Sequence, residues 1–449
     1  MPNIETINNF FGILLVSIVT FILLVVTIIS KEKITSADAS GLVVGGNNSN
    51  DENIDRIISG LKYGIPIEKL LPRKLSLESQ EKFNNYFQPY YSLNKLKATM
   101  TLDDINQSIK YVNNHIPNIN VHMGQRKLFL SELQFLVDNA YSTVSSVVVY
   151  AGAAPGNHTK FLASLFPNIK FILVDPAKFI VKGEYLQTVD DHPMDLARTK
   201  EIVKTAMKGT KQIYIINDFF TSILAEELRE YSILFISDIR TNSDASEFPK
   251  DSDLVWNYAQ QYIWIKLMNP IMAMTKFRHP FYLTKNPEYT ELMLTDLKIA
   301  KDLGIDFADN FNKKKLVFFD GVINLQAFAG KNSTETRLVT DCRKLRDYSG
   351  PEEYEAKLFY YNKIERGFIK HENSNADKQI GFDYCNDCAI ENYLWMQYIQ
   401  KYTSNLSVKE LVLLLCKNSN GSLLFDTHGK FFIKHDFYNL LLKRKNKEY

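Results

Sequence analysis

The sequence is poor in cysteine, glycine and proline, and it carries no excess of charge of either sign. Four cysteines among 449 residues cannot build a disulfide framework, which favours a reducing compartment for the folded part. Gly 19 and Pro 14 are too few for a collagen-like or low-complexity chain. The net charge of only +2 excludes a histone-like binder, so any polyanion must be held by a local basic patch. The length fits one large globular domain or two.

One long hydrophobic run stands near the start of the chain. Residues 10–29 contain no charge and are long enough to cross a hydrocarbon core of about 30 Å as a helix, so they predict a transmembrane segment. A signal peptide is the weaker interpretation, because no positive side chain precedes the run. Lys31 and Lys33 follow it, and the positive-inside bias places the C-terminal side in the cytosol. We therefore predict an anchor over 1–33 and a flexible Ser-, Gly- and Asn-rich linker over 34–60.

Strand-like and helix-like segments alternate through the folded part. A helical apolar period follows Lys127, and further stretches of helical length occupy 157–166 and 253–268. The predicted strands cover 147–150, 171–175, 213–218, 233–240, 280–285, 315–323 and 336–340. This alternation predicts an α/β fold with a mostly parallel central sheet. Helical extensions are expected over 61–120 and 371–449.

A loop of small residues follows the first predicted strand. The segment VVVYAGAAPG (147–156) lets the backbone approach a ligand closely, and the helix that begins after it offers free N–H groups. Asp175 ends the next strand, where doubly wound folds place a carboxylate on a ribose hydroxyl. The spacing GxxxG is neither GxGxxG nor a P-loop, so S-adenosylmethionine suits it better than a phosphate ligand. A tight strand-to-helix turn without a ligand remains the alternative.

Several separate segments resemble, in the same order, the poxvirus poly(A) polymerase small-subunit family, whose members are also cap-specific nucleoside 2′-O-methyltransferases. The segments are GQRKLFLSEL (124–133), YAGAAPGNH (150–158), ILFISDIR (233–240), NPIMAMTKFRHPF (269–281), NSTETRLVT (332–340), YEAKLFYYNKI (354–364) and GFDYCN (381–386). The resemblance implies a Rossmann-like S-adenosylmethionine-dependent methyltransferase domain over 121–370. The soluble poxvirus subunit has no such anchor and linker, so we expect this chain to come from another large DNA virus.

The resemblance implies a catalytic tetrad at Lys127, Asp238, Lys276 and Glu335. A ribose 2′-hydroxyl must lose its proton as it attacks a sulfonium methyl group, and a lysine with a lowered pKa can accept that proton. We assign this role to Lys276. Lys127 would supply a second positive charge, Asp238 would lie near the methyl group and orient Lys276, and Glu335 would hold the set electrostatically. Without the resemblance these side chains would be interpreted as solvated surface charges, apart from Asp238, which ends an apolar strand.

The resemblance also implies a set of cofactor contacts. The matching positions are Gln125, Tyr150, Gly152, Gly156, Asp175 and Asp238. Ala177 stands where the family has an arginine two residues after the ribose-binding aspartate, so that contact is not expected. The adenine is expected near Asp218 or Phe220.

Cap and RNA contacts are implied on a second set of positions. Phe281 matches a ring that stacks on the positively charged 7-methylguanine, and Glu355 matches an acid that pairs with the base edge. Leu283 stands in place of a second acid, and the second ring stays open among Tyr86, Tyr90, Tyr91 and Tyr111. Arg278, Ser333, Thr334 and Glu335 are expected to contact RNA. A core position is the alternative for Phe281.

The leading functional hypothesis is a methyltransferase that acts on capped mRNA from a cytosolic membrane face, in a viral factory or a virion. A non-catalytic RNA-binding processivity subunit, bound to a poly(A) polymerase catalytic subunit, is the alternative, and a small-molecule methyltransferase is the third. Cys385 and Cys388 form a CxxC without a second pair, so two reduced thiols are favoured over a zinc site and no metal is expected. The basic segment 443–447 is interpreted as a solvated tail.

Overall fold

The computed structural model describes residues 93–418, apart from 97, 112–122, 141–146, 193, 242–248, 285–286, 331, 349, 367–368, 378–379, 381 and 403. The predicted membrane segment over 10–29, the linker over 34–60 and the basic segment over 443–447 lie outside the described residues. Within the described part, no helix combines the length and the apolar character that crossing a bilayer requires.

Helices and strands alternate along most of the described chain. The helices are α1 (Gly124–Asn139), α2 (Thr159–Leu165), α3 (Leu196–Lys208), α4 (Ser222–Glu227), α5 (Asp251–Met268), α6 (Glu291–Asp302), α7 (Phe307–Asn312), α8 (Pro351–Tyr360), α9 (Asn386–Tyr402) and α10 (Val408–Asn418). The strands are β1 (Leu93–Asn94), β2 (Val147–Ala151), β3 (Lys170–Val174), β4 (Glu184–Gln187), β5 (Ile213–Ile216), β6 (Ile233–Ser237), β7 (Met272–Phe277), β8 (Val317–Phe319), β9 (Val322–Asn324), β10 (Thr336–Thr340), β11 (Leu345–Asp347) and β12 (Lys370–His371).

An eight-stranded sheet with the order β4-β5-β3-β2-β6-β7-β10-β9 organises the described residues. Neighbouring strands from β4 to β7 run parallel, whereas β10 runs antiparallel to both β7 and β9. The prediction of an α/β fold with a mostly parallel sheet is thus confirmed, and the arrangement is typical of Rossmann-like methyltransferases. The strand order reverses between β2 and β6, and open α/β sheets bind ligands beyond the carboxyl ends of the strands at such a point.

The central strands form where the sequence is continuously apolar. β5 (IYII) and β6 (ILFIS) are buried along their whole length, as expected of parallel strands covered by helices on both faces. The rings of Phe129, Phe161 and Trp395 join α1, α2 and α9, with the centroid of Phe129 5.8 Å from those of the other two. These contacts make α9, in the predicted C-terminal extension, part of the same core.

Two strand predictions are corrected by the structure. The predicted strand over 280–285 is wrong, because residues 280–284 form a loop in which three backbone amides donate to Asp251. The run over 315–323 breaks into β8 and β9 at Asp320 and Gly321. Strand β7 was not among the predicted strands, since its segment MAMTKF contains a single β-branched residue.

The segment before α1 is only partly described, and its described residues are not α-helical. β1 pairs in parallel with β12, and Leu102–Asp104 form a 3₁₀ turn. The boundaries proposed for the two extensions, 61–120 and 371–449, stay predictions.

Candidate active site

The register of three neighbouring strands brings the predicted tetrad together. Ser237 of β6 pairs with Thr275 of β7, so Asp238 and Lys276 follow side by side. Arg337 of β10 pairs with Lys276, which places Glu335, two residues earlier, on the same face near the same strand end. Asp238, Lys276 and Glu335 therefore meet at the carboxyl ends of β6 and β7, and Lys127 reaches Glu335 from α1.

Ion pairs join the four members of the tetrad in two pairs. Lys276 Nζ lies 3.0 Å from Asp238 Oδ1 and also donates to the backbone oxygen of Asp238 at 3.2 Å. Lys127 Nζ, from the first turn of α1, donates to Glu335 Oε1 at 2.8 Å. Lys276, Asp238, Lys127 and Glu335 are largely buried, so solvent screens these pairs weakly.

Two arginines that the sequence reasoning missed complete the network. Arg337 is 3% exposed, and its Nη2 lies 2.8 Å from Asp238 Oδ1 and 3.4 Å from Glu335 Oε1, so it bridges the two halves of the tetrad. Arg240 pairs with the other oxygen of Glu335. Strand alternation was the available signal, because Arg240 follows Asp238, and Arg337 follows Glu335, by two residues. Four cations thus face two carboxylates, which leaves a local positive excess.

The charges of this network shift the titration of its members. Burial lowers the pKa of Lys276 to about 8, against the opposing effect of Asp238. Burial alone would raise the pKa of Asp238, but Lys276 and Arg337 outweigh it and the pKa falls. The pKa of Glu335 is held well below its usual range by four neighbouring cations despite burial. The site therefore contains a lysine that can lose its proton near neutral pH, and two carboxylates that stay ionised.

The glycine loop lies directly beside this network. Gly152 has φ +80°, and a Cβ there would stand 2.9 Å from the carbonyl carbon of Asp238. Gly156 has φ +71°, and a Cβ there would meet the Val181 side chain at 2.9 Å. Glycine is thus required at both positions by backbone conformation and by space. The loop leads into α2, as predicted.

Asp175 follows β3 beside the loop. Its Oδ2 accepts from the amide of Ala154 at 3.1 Å and its Oδ1 from the amide of Ala177 at 2.8 Å, which leaves further lone pairs on a half-buried carboxylate. Burial raises the pKa of Asp175. Asn217 donates to the backbone oxygens of Asp175 and Ala177, both at 2.9 Å, and fixes the turn. The geometry suits acceptance of bonds from a vicinal diol.

The side chains of two residues expected at the cofactor, Phe220 and Tyr150, are buried. Phe220 is 8% exposed and packs on Trp264 at 4.7 Å between ring centroids, so it belongs to the core, whereas Phe219 is 68% exposed. Asp218 accepts from the amide of Phe219. The Tyr150 side chain is buried and donates to Glu132, so a contact to a cofactor would come from its backbone. Gln125 is half-buried in the first turn of α1.

A second cluster, the cap-side cluster, adjoins the tetrad and consists of Arg278, Phe281, Glu355 and Tyr111. The guanidinium carbon of Arg278 lies 4.5 Å from the centroid of the Phe281 ring. Both Arg278 and Glu355 act electrostatically on Tyr111, whose pKa is raised by burial first and Glu355 second. Of the four tyrosines left open as the second ring, Tyr111 alone lies within the described residues. Leu283, in place of the second acid, is 83% exposed.

Arg278 is buried with unused hydrogen-bonding capacity. Only 7% of Arg278 is exposed, yet its Nε and Nη2 have no hydrogen-bond partner among the described residues. A pocket opens here and is lined by Lys276, Arg278, Arg240 and the amide side chain of Gln261. These two nitrogens can donate to an anionic group, while Glu335 and Glu355 act on the guanidinium charge electrostatically.

Ser333 and Thr334 lead into β10 next to Glu335. Ser333 Oγ accepts from the amide of Glu335 at 3.2 Å and is half-buried. Thr334 is 6% exposed, and its backbone oxygen accepts from Tyr354 at 2.8 Å. Both residues therefore shape the turn that presents Glu335.

The CxxC gains one neighbour in the structure. Asp383, Cys385 and Cys388 place their ligand atoms within 4.8 Å of one another. Three donors are one fewer than a closed tetrahedral zinc site needs. Cys342, Cys385 and Cys388 are free thiols.

The sheet order and strand directions are typical of Rossmann-like methyltransferases. A family model described as the poly A polymerase regulatory subunit matches residues 92–418, and the chain belongs to that family. It is similar to the cap-specific mRNA (nucleoside-2′-O-)-methyltransferase of Myxoma virus (strain Lausanne), with 27% identity over 312 residues, covering 65% of this chain and 73% of the relative. The protein of the same description from Fowlpox virus (strain NVSL) is 28% identical over 327 residues, covering 70% and 84%.

A solved structure described as an antibiotic related methyltransferase also matches. It covers 49% of this chain and 96% of its own, with 14% identity and a TM-score of 0.16, which is too low to support an argument. The predicted family is thus confirmed by the family model and the viral relatives.

Proposed function

We propose that this protein transfers a methyl group from S-adenosylmethionine to the 2′-hydroxyl of the first transcribed nucleotide of capped mRNA. The observation that carries the proposal is the convergence of Lys127, Asp238, Lys276 and Glu335 beside the glycine loop, at the point where the strand order reverses. A small-molecule methyltransferase would need the loop and Asp175 but not two lysines in a network with an excess of positive charge.

Lys276 is the proton acceptor in this mechanism. The bound cofactor would supply a methyl group on a sulfonium centre. Transfer of this group to the 2′-oxygen would break the carbon–sulfur bond, and the bonding electrons would stay on sulfur in the departing thioether. As the oxygen–methyl bond forms, the hydroxyl proton passes to the neutral Nζ of Lys276. Asp238 fixes Nζ at 3.0 Å and then stabilises the ammonium that results. Lys127 and Arg337 hold Glu335 in place and stabilise negative charge on the ribose oxygen.

The cofactor residues fit S-adenosylmethionine. Asp175 would bind the ribose hydroxyls, the backbone of Tyr150, Gly152 and Gly156 would line the methionine and ribose portions, and Gln125 and Asp238 would close the site towards the reacting methyl. The two positive-φ glycines fix the tight turn that leads from β2 into α2 and brings the loop against the backbone of Asp238.

On the RNA side, Phe281 and Tyr111 would enclose 7-methylguanine, and Glu355 would accept hydrogen bonds from its edge. The half-buried Glu355 carboxyl has a pKa raised by burial, and bonds from a cationic base would offset that cost. Arg278, with unused donors, would bind a phosphate, while Ser333, Thr334 and Glu335 would contact the adjacent backbone and ribose.

Methyl transfer from labelled cofactor tests the proposal. The substrates are a cap-0 RNA and the same RNA with a 2′-deoxy first nucleotide, and the enzyme is compared with its Lys276→Met variant. We expect label only on the cap-0 RNA and only with the unaltered enzyme. Equal labelling of both RNAs would refute the assigned reaction.

The family description favours a second function, an RNA-binding regulatory subunit of a poly(A) polymerase. It would use the surface charges of the domain and would not require the tetrad. Addition of the Lys276→Met variant to a cognate catalytic subunit tests it, since tail lengthening should survive the loss of methyl transfer.

The segment outside the described residues completes the proposal. The run over 10–29 would anchor the protein, and the linker over 34–60 would leave the methyltransferase domain over 121–370 on the cytosolic side of a membrane in a factory or virion. In sealed microsomes, added protease should digest the domain of the full-length chain. Protection of the domain would reverse the orientation.

A further inference from the structure

Glu132 of α1 is a fully buried carboxylate that the proposed mechanism does not use. Its exposed fraction is 0%, and no lysine or arginine is paired with it among the described contacts. Its Oε1 accepts from the hydroxyl of Tyr150 at 2.8 Å, and its Oε2 lies 2.6 Å from Nε2 of His158. Burying a carboxylate is costly unless its oxygens are bonded, and here both oxygens have a partner, while the charge of Arg337 also acts on Glu132 electrostatically.

The two partners of Glu132 flank the glycine loop. Tyr150 stands two residues before Gly152, and His158 stands two residues after Gly156. Both side chains are nearly fully buried, at 3% and 4% exposure. One carboxylate therefore holds both ends of the loop that the proposed cofactor contacts.

The same helix carries proposed active-site residues. Gln125 and Lys127 lie in the first turn of α1, and Lys127 is paired with Glu335. Glu132, one to two turns later, is buried against the loop. A rigid helix then sets the distance between the loop and the tetrad, which must agree within about half an ångström for methyl transfer.

We infer that Glu132 is a positioning residue for the cofactor site, holding the glycine loop through Tyr150 and His158 in the conformation that binds S-adenosylmethionine. This inference rests on the proposed function. Glu132 itself lies beneath the loop and does not touch the ligand, so its loss acts on cofactor affinity through the loop.

Calorimetric titration of cofactor into Glu132→Gln, Glu132→Ala and Tyr150→Phe tests the inference. We expect cofactor to bind about tenfold more weakly to Glu132→Gln and Tyr150→Phe, with a larger loss for Glu132→Ala. For Glu132→Gln, kcat at saturating cofactor should stay within about threefold of that of the unaltered enzyme. Both substitutions break the same contact between Tyr150 and Glu132. The double variant Glu132→Gln/Tyr150→Phe should therefore bind cofactor at most about twofold more weakly than the weaker-binding single variant.

A matched control separates this effect from a general loss of stability. Asp387→Asn removes another buried carboxylate, whose two oxygens accept hydrogen bonds from Arg366 and not from the loop. We expect a lower melting temperature and an unchanged cofactor dissociation constant for this control. Tyr150→Phe, which deletes a single hydroxyl, keeps the test valid if both Glu132 variants fail to fold.

The outcomes distinguish the inference from the proposed function. Unchanged cofactor affinity in folded Tyr150→Phe and Glu132→Gln, with binding intact in the unaltered enzyme, overturns the positioning role alone. Equal loss of affinity in Asp387→Asn also overturns it, because the effect would then follow stability. Absence of binding to the unaltered enzyme overturns both the proposed function and the inference.

Discussion

The pH dependence of methyl transfer follows from the burial of Lys276. Its pKa of about 8 leaves about a tenth of the molecules with a neutral amine at pH 7 and about nine tenths at pH 9. If the neutral amine accepts the proton, kcat rises about tenfold over this interval and levels off above pH 9. An ordinary lysine, with a pKa of about 10.4, would give a rise of about a hundredfold with no plateau.

The assay is a single-turnover reaction at saturating cofactor and capped RNA, measured from pH 6.5 to 9.5. Lys276→Arg is the control, because its side chain stays charged throughout, and it should be inactive at every pH. Arg240→Gln removes a cation that lowers the pKa of Lys276, so the inflection should move to higher pH and the rate at pH 7 should fall. A rate that does not vary with pH, or substantial activity of Lys276→Arg, would refute the base assignment.

Three further predictions concern the cofactor and cap sites. Asp175→Ala should weaken cofactor binding by about 1–3 kcal/mol in calorimetry, because charge-assisted ribose bonds are lost; an unchanged constant would point to Asp218. Gly152→Ala should lower the free energy of unfolding by about 1–3 kcal/mol in denaturant titration and abolish cofactor binding, because φ at this position is +80°. A stability equal to that of the parent would contradict this. Asp251→Ala should weaken binding of a methylated cap dinucleotide, measured by fluorescence, by about 1–2 kcal/mol while cofactor affinity holds, since three loop amides around Phe281 lose their acceptor.

Much of the sheet could be predicted because its central strands are continuous apolar runs. The segment TRLVT forms β10 over the predicted residues 336–340, and the order of strand, glycine loop and Asp175 is as expected. Strand β7 was not predicted because Met and Ala carry little strand preference. The segment PFYLTK was predicted as a strand, but its backbone amides donate to Asp251 and not to a neighbouring strand. In both segments, tertiary contacts determine whether the backbone forms a strand.

The candidate site was predicted through the resemblance and not through periodicity. Lys127 and Glu335 are 208 residues apart, and no local pattern announces that they meet. Buried charges such as Glu132 and Arg337 are the harder case, since composition and periodicity assign charged side chains to the surface. Only the three-dimensional arrangement supplies the partners that make their burial tolerable.

The two carboxylates of the site have opposite effects on Lys276: they raise its pKa, which disfavours the neutral amine, and they hold the cations of the site together. Asp238 raises the pKa of Lys276, which reduces the neutral fraction, yet burial and the cations Arg240 and Arg337 outweigh it and leave the pKa near 8. Without Asp238 and Glu335, the four cations would repel one another in a largely buried site and Nζ would lose its anchor at 3.0 Å. The acids therefore make a concentrated positive site possible, and that same positive excess both attracts RNA phosphates and keeps Lys276 able to accept a proton.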